Sequence, residues 1–334
     1  MEKSIMQWTK TLFAALVSFA AVSGTAHAAD KVRIGYWSSG VSLGYGAVLE
    51  ATEFLKQQNL DVEFFRFPDV NAPLRALASN SIDLAYGAPA AGVFSSAAEG
   101  IPIKVFAATQ PADVQFVVPE GSPIRSLDQL RGKKVGMSPA GSSVAVIAGA
   151  VLAGNYGIKS NDFSLVGGNE SRLAQFLVQK QVDAAALRSV TVAQLDDLKV
   201  TRLGTFADEW RRLTKSDSVP YIGIGAVRSE FVQAHPDVVA RVIAGMRNAL
   251  AWAEAPANHD KVITILQKSA NLPENDARVY AGQWKDMYRI SFEPADIDTL
   301  KREHQVFADS GLIKGQLKDD LFVTGPYQQS KSIK

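Results

Sequence analysis

Two stretches, Lys31-Val-Arg-Ile-Gly-Tyr-Trp-Ser38 and Ser81-Ile-Asp-Leu-Ala-Tyr-Gly87, decide how this chain folds, because each returns later in the sequence. Lys133-Lys-Val-Gly-Met-Ser138 echoes the first, and Gln181-Val-Asp-Ala-Ala-Ala-Leu187 echoes the second. The separations agree: Asp83 lies 51 positions after Val32, and Asp183 lies 48 after Val135. Each first stretch is a β-rich run that feeds a small polar segment opening a helix, and each second stretch is preceded by a helical pattern. Short β-rich runs alternating with helices are the signature of parallel α/β layers, so the echo predicts two similarly built lobes.

Outward from the first echo, strands are expected over 32–37, 62–67, 82–86 and 103–108. A helix is expected over 43–58, where Leu43, Ala47, Ala51, Phe54 and Leu55 recur close to the spacing of one helical face. Prolines punctuate Ala108-Thr-Gln-Pro-Ala-Asp113 and Ser216-Asp-Ser-Val-Pro220-Tyr-Ile-Gly-Ile-Gly225, the two segments expected to cross between lobes as a hinge. Beyond them the chain turns helical. Val239, Val242, Met246, Leu250 and Ala253 share one face, and further helical patterns cover 261–269, 276–288 and 295–310. With no sheet of their own, these helices should pack back on the first lobe. The expected division is a leader over 1–28, a first lobe from 29–111 and 222–334, and a second lobe over 112–221.

Lys3 and Lys10, the apolar run 12–22 and the small-residue stretch Ser23-Gly-Thr-Ala-His-Ala28 have the layout of a secretory leader, with cleavage expected after Ala28. The run is too short to cross a bilayer, which takes about 20 residues. No cysteine is present, so neither a lipid-anchor box nor a disulfide framework is available. The formal net charge of the whole chain is +1, a balance that argues against nucleic acid, which selects a strongly basic face. A periplasmic, monomeric, freely diffusing protein is the expectation.

Phosphate-binding, dinucleotide, hydrolase-elbow and zinc-protease motifs are absent, so no cofactor or metal is expected. Gly44-Tyr-Gly46 and Gly223-Ile-Gly225 lack the third glycine of a dinucleotide loop and read as glycines beside packed elements. His235, His259 and His304 lack a second ligand at metal spacing and read as solvated surface histidines.

The ordered set of the leader, Val32-Arg-Ile-Gly-Tyr, Ile82-Asp-Leu-Ala-Tyr-Gly, Ser126-Leu-Asp-Gln-Leu-Arg-Gly-Lys-Lys-Val-Gly, Gly141-Ser-Ser, Gln181-Val-Asp-Ala and Ala308-Asp-Ser-Gly-Leu-Ile resembles the nitrate/sulfonate/taurine-type periplasmic substrate-binding proteins of ABC importers. The resemblance runs from about Lys31 to about Lys314. It implies the type II binding-protein fold, a Venus flytrap whose cleft closes on a solute, with an ABC permease and its ATPase as partners. The ligand contacts it implies are Trp37, Ser38 and Ser39 after the first strand, and Gly87 and Ala88 after Asp83. In the second lobe they are Ser138, Gly141, Ser142 and Ser143 at a helix start, and Asn169 after the next strand. One departure stands out: the family often carries a tryptophan-containing run ending in Asp-Pro after Val-Asp-Ala, whereas this chain reads Ala185-Ala-Leu-Arg188-Ser189. Thiamine-pyrimidine synthesis proteins share the fold family but rely on a cysteine-rich segment that this chain lacks.

Physical reasoning agrees on the place, since parallel sheets bind ligands at the carboxyl ends of their strands and interdomain clefts are the usual sites. Ser142 and Ser143 admit two readings, a helix N-cap or an anion seat at a helix start. Arg188, directly after its strand, is either a surface arginine or the partner of an anion. Trp37 and Tyr36 alternate along a strand, so at most one of them faces a ligand. Capture of a small organic anion, a sulfonate or carboxylate, for an ABC importer is the expected function. A sensory binding protein and a secreted enzyme are the alternatives.

Overall fold

A computed structural model of the protein describes residues 28–195 and 200–334; the expected leader lies, up to residue 27, outside the described residues. The chain opens with β1 (Asp30–Trp37), α1 (Gly40–Ala51), β2 (Leu60–Phe67), α2 (Ala72–Ala78), β3 (Leu84–Pro89), α3 (Ala90–Ala98) and β4 (Ile103–Pro111). It continues through β5 (Val114–Pro119), β6 (Lys134–Met137), α4 (Ser143–Tyr156), β7 (Ser164–Gly167), α5 (Glu170–Val178), β8 (Ala184–Arg188), α6 (Ser189–Gln194), β9 (Val200–Thr205) and α7 (Phe206–Thr214). After β10 (Tyr221–Arg228) only helices follow: α8 (Ser229–Ala234), α9 (Pro236–Glu254), α10 (His259–Ser269), α11 (Glu274–Gly282), α12 (Trp284–Met287), α13 (Pro294–Asp309) and α14 (Gly325–Ser330).

Two five-stranded sheets form, ordered β2-β1-β3-β10-β4 and β7-β6-β8-β5-β9. In each the echoed strands are parallel neighbours, and one antiparallel strand, β10 or β5, comes from the far side of a crossover. The echo is a shared register. Ile34 pairs with Leu84 in one sheet and Val135 with Ala184 in the other. Asp83 accepts from Arg33 N at 2.9 Å and donates its own N–H to Arg33 O at 2.9 Å. Asp183 does the same with Lys134, at 2.7 and 2.8 Å. An aspartate one residue before the strand satisfies a backbone donor that the pairing leaves free, which explains why Val-Asp and Ile-Asp recur at this point. This is the two-lobed α/β architecture expected from the sequence.

The crossovers meet where the prolines predicted a hinge: Ala112 N donates to Pro220 O at 2.8 Å. Tyr221, the next residue, is held at both ends by α13, its N–H by Glu303 Oε1 at 2.6 Å and its hydroxyl by Asp296 Oδ1 at 2.6 Å. Glu303 is fully buried, and burial raises its pKa well above the carboxylate range despite the Tyr221 hydrogen bond.

Three expectations differ. Helix α1 stops at Ala51, where Thr52 is extended, and 56–58 form only a 3-10 turn closed by left-handed Asn59. The terminal helices do not pack on the first lobe alone. The ring of Phe307 on α13 meets Trp210 of α7 edge-on at 6.2 Å, and Leu312 packs against Gly149 of α4. Helix α4 carries no charge and is buried almost throughout 143–152, as a helix apolar on all sides must be. His304 is buried, 8% exposed, with its ring edge-on to Phe94, and burial lowers its pKa although Gly315 opposes the shift. The i, i+4 neighbours Leu300 and His304 fall on the buried side of α13, which a lone histidine in a polar-looking helix conceals. The glycine reading holds: Gly44 lies under the Tyr280 ring and Gly46 under Tyr36, with no room for a Cβ.

Candidate functional site

An interlobe cavity of about 360 Å³ opens at the carboxyl ends of β1 and β8, within the size range of small-molecule sites. Ser38, Ser39 and Gly40 line it from the first lobe, and Glu170, Arg188 and Thr191 line it from the second. Tyr280 and Asp276 of α11 form a further wall. Gly40 needs its left-handed φ of +55° to start α1 so soon after the strand, and a Cβ there would also press on Trp37. The Cγ of Glu170 lies 3.7 Å from that same point, so the α1 start and the α5 start face each other across the cleft.

The first turn of α1 is held rigidly from below. Tyr288 Oη donates to Val41 O at 2.6 Å, and the Tyr280 and Tyr288 hydroxyls share a 2.6 Å hydrogen bond. Burial, first of all, raises both hydroxyl pKa values. Tyr45 and Trp284 pack on Tyr288 and on each other, and Tyr86 packs on Tyr45, as an aromatic floor, with Trp284 and Tyr288 centroids 4.6 Å apart. Among the described residues the hydroxyl of Tyr86 has no hydrogen-bond partner.

Arg188 ends β8 and is only 6% exposed. Its Nε lies 3.5 Å from Glu170 Oε1 but makes no hydrogen bond among the described residues. Glu170 Oε2 accepts from Thr191 Oγ1 at 2.8 Å and from Arg188 N at 3.3 Å. Burial pulls the Arg188 guanidinium below its ordinary value, while Glu170 and Asp113 pull it back up. Asp113, at the hinge, takes a hydrogen bond from the Ser189 hydroxyl. Burial raises its pKa, against Ser189 and Arg188. Of the two readings of Arg188, the surface arginine does not describe this buried side chain. A guanidinium desolvated to this degree needs a counter-charge, and Glu170, invisible from Arg188 in sequence, supplies it.

Among the predicted contacts, Ser38, Ser39 and Arg188 meet at this cavity, and the others lie elsewhere. Trp37 is buried, its indole N–H 3.4 Å from Pro68 O; Tyr36 is buried too, its hydroxyl donating to Glu50 at 2.5 Å. Gly87, at φ +63°, is wedged against Gln110 and Ser42, which hydrogen-bond each other at 3.1 Å; Ala88 and Ser138 are buried. Gly141 faces Asn71. Ser142 caps α4, accepting from Ala145 N at 3.3 Å, and Ser143 accepts from Ala91 N of the first lobe at 3.2 Å. Asn169 caps α5, accepting from Arg172 N at 3.0 Å. The capping reading thus describes α4 and α5. At α1 the N-cap Ser39 makes no capping bond with its side chain, and Ser39 and Gly40, where the helix starts, line the cavity.

Sequence reasoning missed Glu170, Thr191, Asp276 and Tyr280. Glu170 carried a faint signal, an acidic residue just inside a helix start, but that is equally what the helix dipole favours anywhere. A second, larger cavity of about 770 Å³ lies at the hinge-side end of the cleft, lined by Pro111, Asp113, Tyr221, Arg289, Asp296 and Arg302. Its arginines are solvent-exposed, so it lacks the buried, unmatched donor that marks the first. Among the described residues no cluster of His, Asp or Glu could hold a metal ion.

The profile of the NMT1/THI5-like family matches residues 48–258. This chain belongs to that family. A relative described as a putative thiamine biosynthesis protein of Haemophilus influenzae is 24% identical over 64% of this chain and 76% of its own length. A putative binding protein of Brucella abortus is 23% identical over 88% and 85% respectively. Among solved structures, the alkanesulfonate-binding protein SsuA of Xanthomonas axonopodis pv. citri superposes with a TM-score of 0.73 at 19% identity, covering 88% of this chain and 98% of that one. The periplasmic aliphatic sulphonate-binding protein SsuA of Escherichia coli gives 0.69 at 21% identity. At such identities the likeness establishes the family's two-lobed binding-protein fold. What fills the cleft has to be argued from the cleft's own side chains.

Proposed function

We propose that this protein captures a small organic solute bearing an acid group, of the sulfonate or carboxylate class, between its lobes, and delivers it to an ABC importer permease. A periplasmic, freely diffusing protein, with 29–111 and 222–334 as one lobe and 112–221 as the other, belongs to the same reading. One observation carries it: the uncapped start of α1 and the buried guanidinium of Arg188, from opposite lobes, converge on one cavity. Unpaired first-turn N–H groups and the helix dipole favour negative charge, and an acid group meeting Arg188 would supply the hydrogen bond its Nε lacks. A ligand gripped from both lobes holds them together, which is the signal a permease can read.

Catalysis is the weaker reading. The cleft presents a guanidinium, the carboxylates of Glu170 and Asp276, tyrosines held in mutual hydrogen bonds and serines; Ser38 Oγ is committed to Phe67 O at 2.9 Å, and among the described residues neither carboxylate is hydrogen-bonded to a cavity serine that it could activate. Thermal unfolding in a panel of short sulfonates and carboxylates tests capture. A ligand at about 100 times its Kd stabilises the fold by about 2.7 kcal/mol, a rise of several degrees in Tm. A panel without any shift refutes the acid-group reading, and turnover of a binder would move the protein to the enzymes.

A further inference from the structure

Arg188 is built onto the crossover between the lobes. It is the last residue of β8 and pairs in the sheet with Val114, the first residue of β5. Only Ala112 and Asp113 separate that strand from the end of β4 at Pro111. Both are tied down. Ala112 N reaches the other crossover at Pro220 O. Asp113 reaches Ser189, the residue after Arg188, twice: its carboxylate accepts from the Ser189 hydroxyl, and its carbonyl accepts from the Ser189 N–H at 3.2 Å. Gln115 Nε2 donates to the same hydroxyl at 2.8 Å, which fixes its orientation. Ser189 then opens α6, which packs against α11 across the cleft, with Gln194 Nε2 3.5 Å from Asp276 O. The second carboxylate oxygen of Asp113 is buried and has no hydrogen-bond partner among the described residues. A buried carboxylate with one oxygen idle is unfavourable for folding; what this one does provide is the clasp on Ser189.

We propose, resting on the capture reading above, that Asp113 is a positioning residue for Arg188: through Ser189 it sets the guanidinium from the hinge, so that affinity for an acid group and the order of the crossover are coupled. Hydrogen bonds weaken steeply with misalignment, and Arg188, as the last residue of its strand, has no further ladder to direct it. Glu170 steadies it from the cleft side, through the guanidinium and the backbone N–H, and the Asp113–Ser189 clasp steadies it from the hinge side. Coupling of this kind is reciprocal. An acid group that fixes Arg188 also fixes Ser189 and, through Asp113, the crossover itself, which ties occupancy of the cleft to the hinge.

Calorimetric titration with the tightest-binding short alkanesulfonate or alkanecarboxylate of the panel above tests this. Ser189→Ala and Asp113→Ala should each weaken binding about 3- to 10-fold, as loss of one hydrogen bond does, and the double variant should lose no more than either alone. Asp113→Asn keeps an acceptor for the Ser189 hydroxyl and should restore affinity to within about twofold of wild type. In an Arg188→Ala background, or Arg188→Gln where the alanine variant does not fold, Ser189→Ala should change affinity by less than about twofold, because its effect runs through the guanidinium. Hydrogen exchange at the Ala112 and Val114 amides should slow on binding in wild type and lose most of that response in Ser189→Ala. Wild-type affinity in Ser189→Ala, a loss in Asp113→Asn as large as in Asp113→Ala, or the same loss from Ser189→Ala with and without Arg188 overturns the positioning proposal and leaves acid capture standing. A panel without any binder, or wild-type affinity in Arg188→Ala, overturns the capture reading instead, and this proposal with it.

Discussion

Helices α1 and α4 occupy equivalent places, each following the first strand of its lobe's echo, yet they do opposite things with their N-termini. The start of α4 is spent internally: Ser142 caps it and Ser143 clasps the first lobe through Ala91 N. The start of α1 is left open, with an N-cap hydroxyl that makes no capping bond and a cavity in front of it. A duplicated architecture thus has one lobe's helix start fastening the lobes and the other's free to bind. The echoed aspartates diverge in the same way. Asp83 is buried and paired with Arg33 and Arg228, both at 2.8 Å, while Asp183 keeps the backbone bond but is exposed.

The largest expected difference separates those two aspartates. Asp83→Asn removes the shared counter-charge of two partly exposed arginines and should cost about 1.5 to 3 kcal/mol in denaturant unfolding, the usual worth of a hydrogen bond to a charged group. Asp183→Asn should cost about 1 kcal/mol or less, because an exposed bond to a backbone N–H is all that it weakens. Similar losses would break the comparison. Burial works to raise the Asp83 pKa, but the hydrogen bonds from Arg33 and Arg228 outweigh it and leave the value lowered. Its stabilisation is therefore complete above the unfolded-state pKa of about 4 and fades as pH falls through the lower folded value. Stability measured from neutral pH into the acid range should fall less steeply in Asp83→Asn than in wild type.

Arg188 comes next. Arg188→Ala should weaken an acid ligand roughly 10- to 150-fold, about 1.5 to 3 kcal/mol, and Arg188→Lys should restore only part of it, since an ammonium lacks the planar fork. The burial of Arg188 adds a consequence that the sequence concealed. The fold itself should lose about 2 kcal/mol in Arg188→Ala, less than a fully broken pair, because Thr191 Oγ1 still donates to Glu170. Unchanged stability together with unchanged affinity would return Arg188 to the status of a surface charge.

The smallest effects sharpen the comparison of the two helix starts. Ser142→Ala should cost about 1 kcal/mol of stability, as loss of an N-cap usually does, and leave ligand affinity alone. Ser39→Ala removes no capping bond, so stability should hold within about 0.5 kcal/mol while affinity falls. The reverse pattern in paired titrations and melts would place the anion seat at α4 after all.

How much was legible follows from where the information sits. Strand β8 and its terminal arginine could be read directly, because an apolar run ending at a charge is local information. The echo could be read because register repeats in the sequence wherever a backbone bond repeats, as it does at Asp83 and Asp183. The hinge could be read from prolines that fix the backbone where they stand. What stayed hidden were the residues whose role depends on a partner far along the chain. Ser39 and Ser142 are both serines at helix starts, and sequence cannot say which has a capping bond, since that turns on one side-chain torsion and on what lies opposite. His304 looked solvated because the Phe94 ring that covers it lies far away in sequence. Glu170 and Asp276 were ordinary helix-start acids until folding set them around Arg188. The sequence by itself determined two α/β lobes, their register and the strand ends where a ligand belongs, all set by local hydrogen bonding and apolar periodicity. Only the tertiary structure decided which helix start is free and which charges share the cleft, because burial and counter-charge are properties of side chains brought together by the fold.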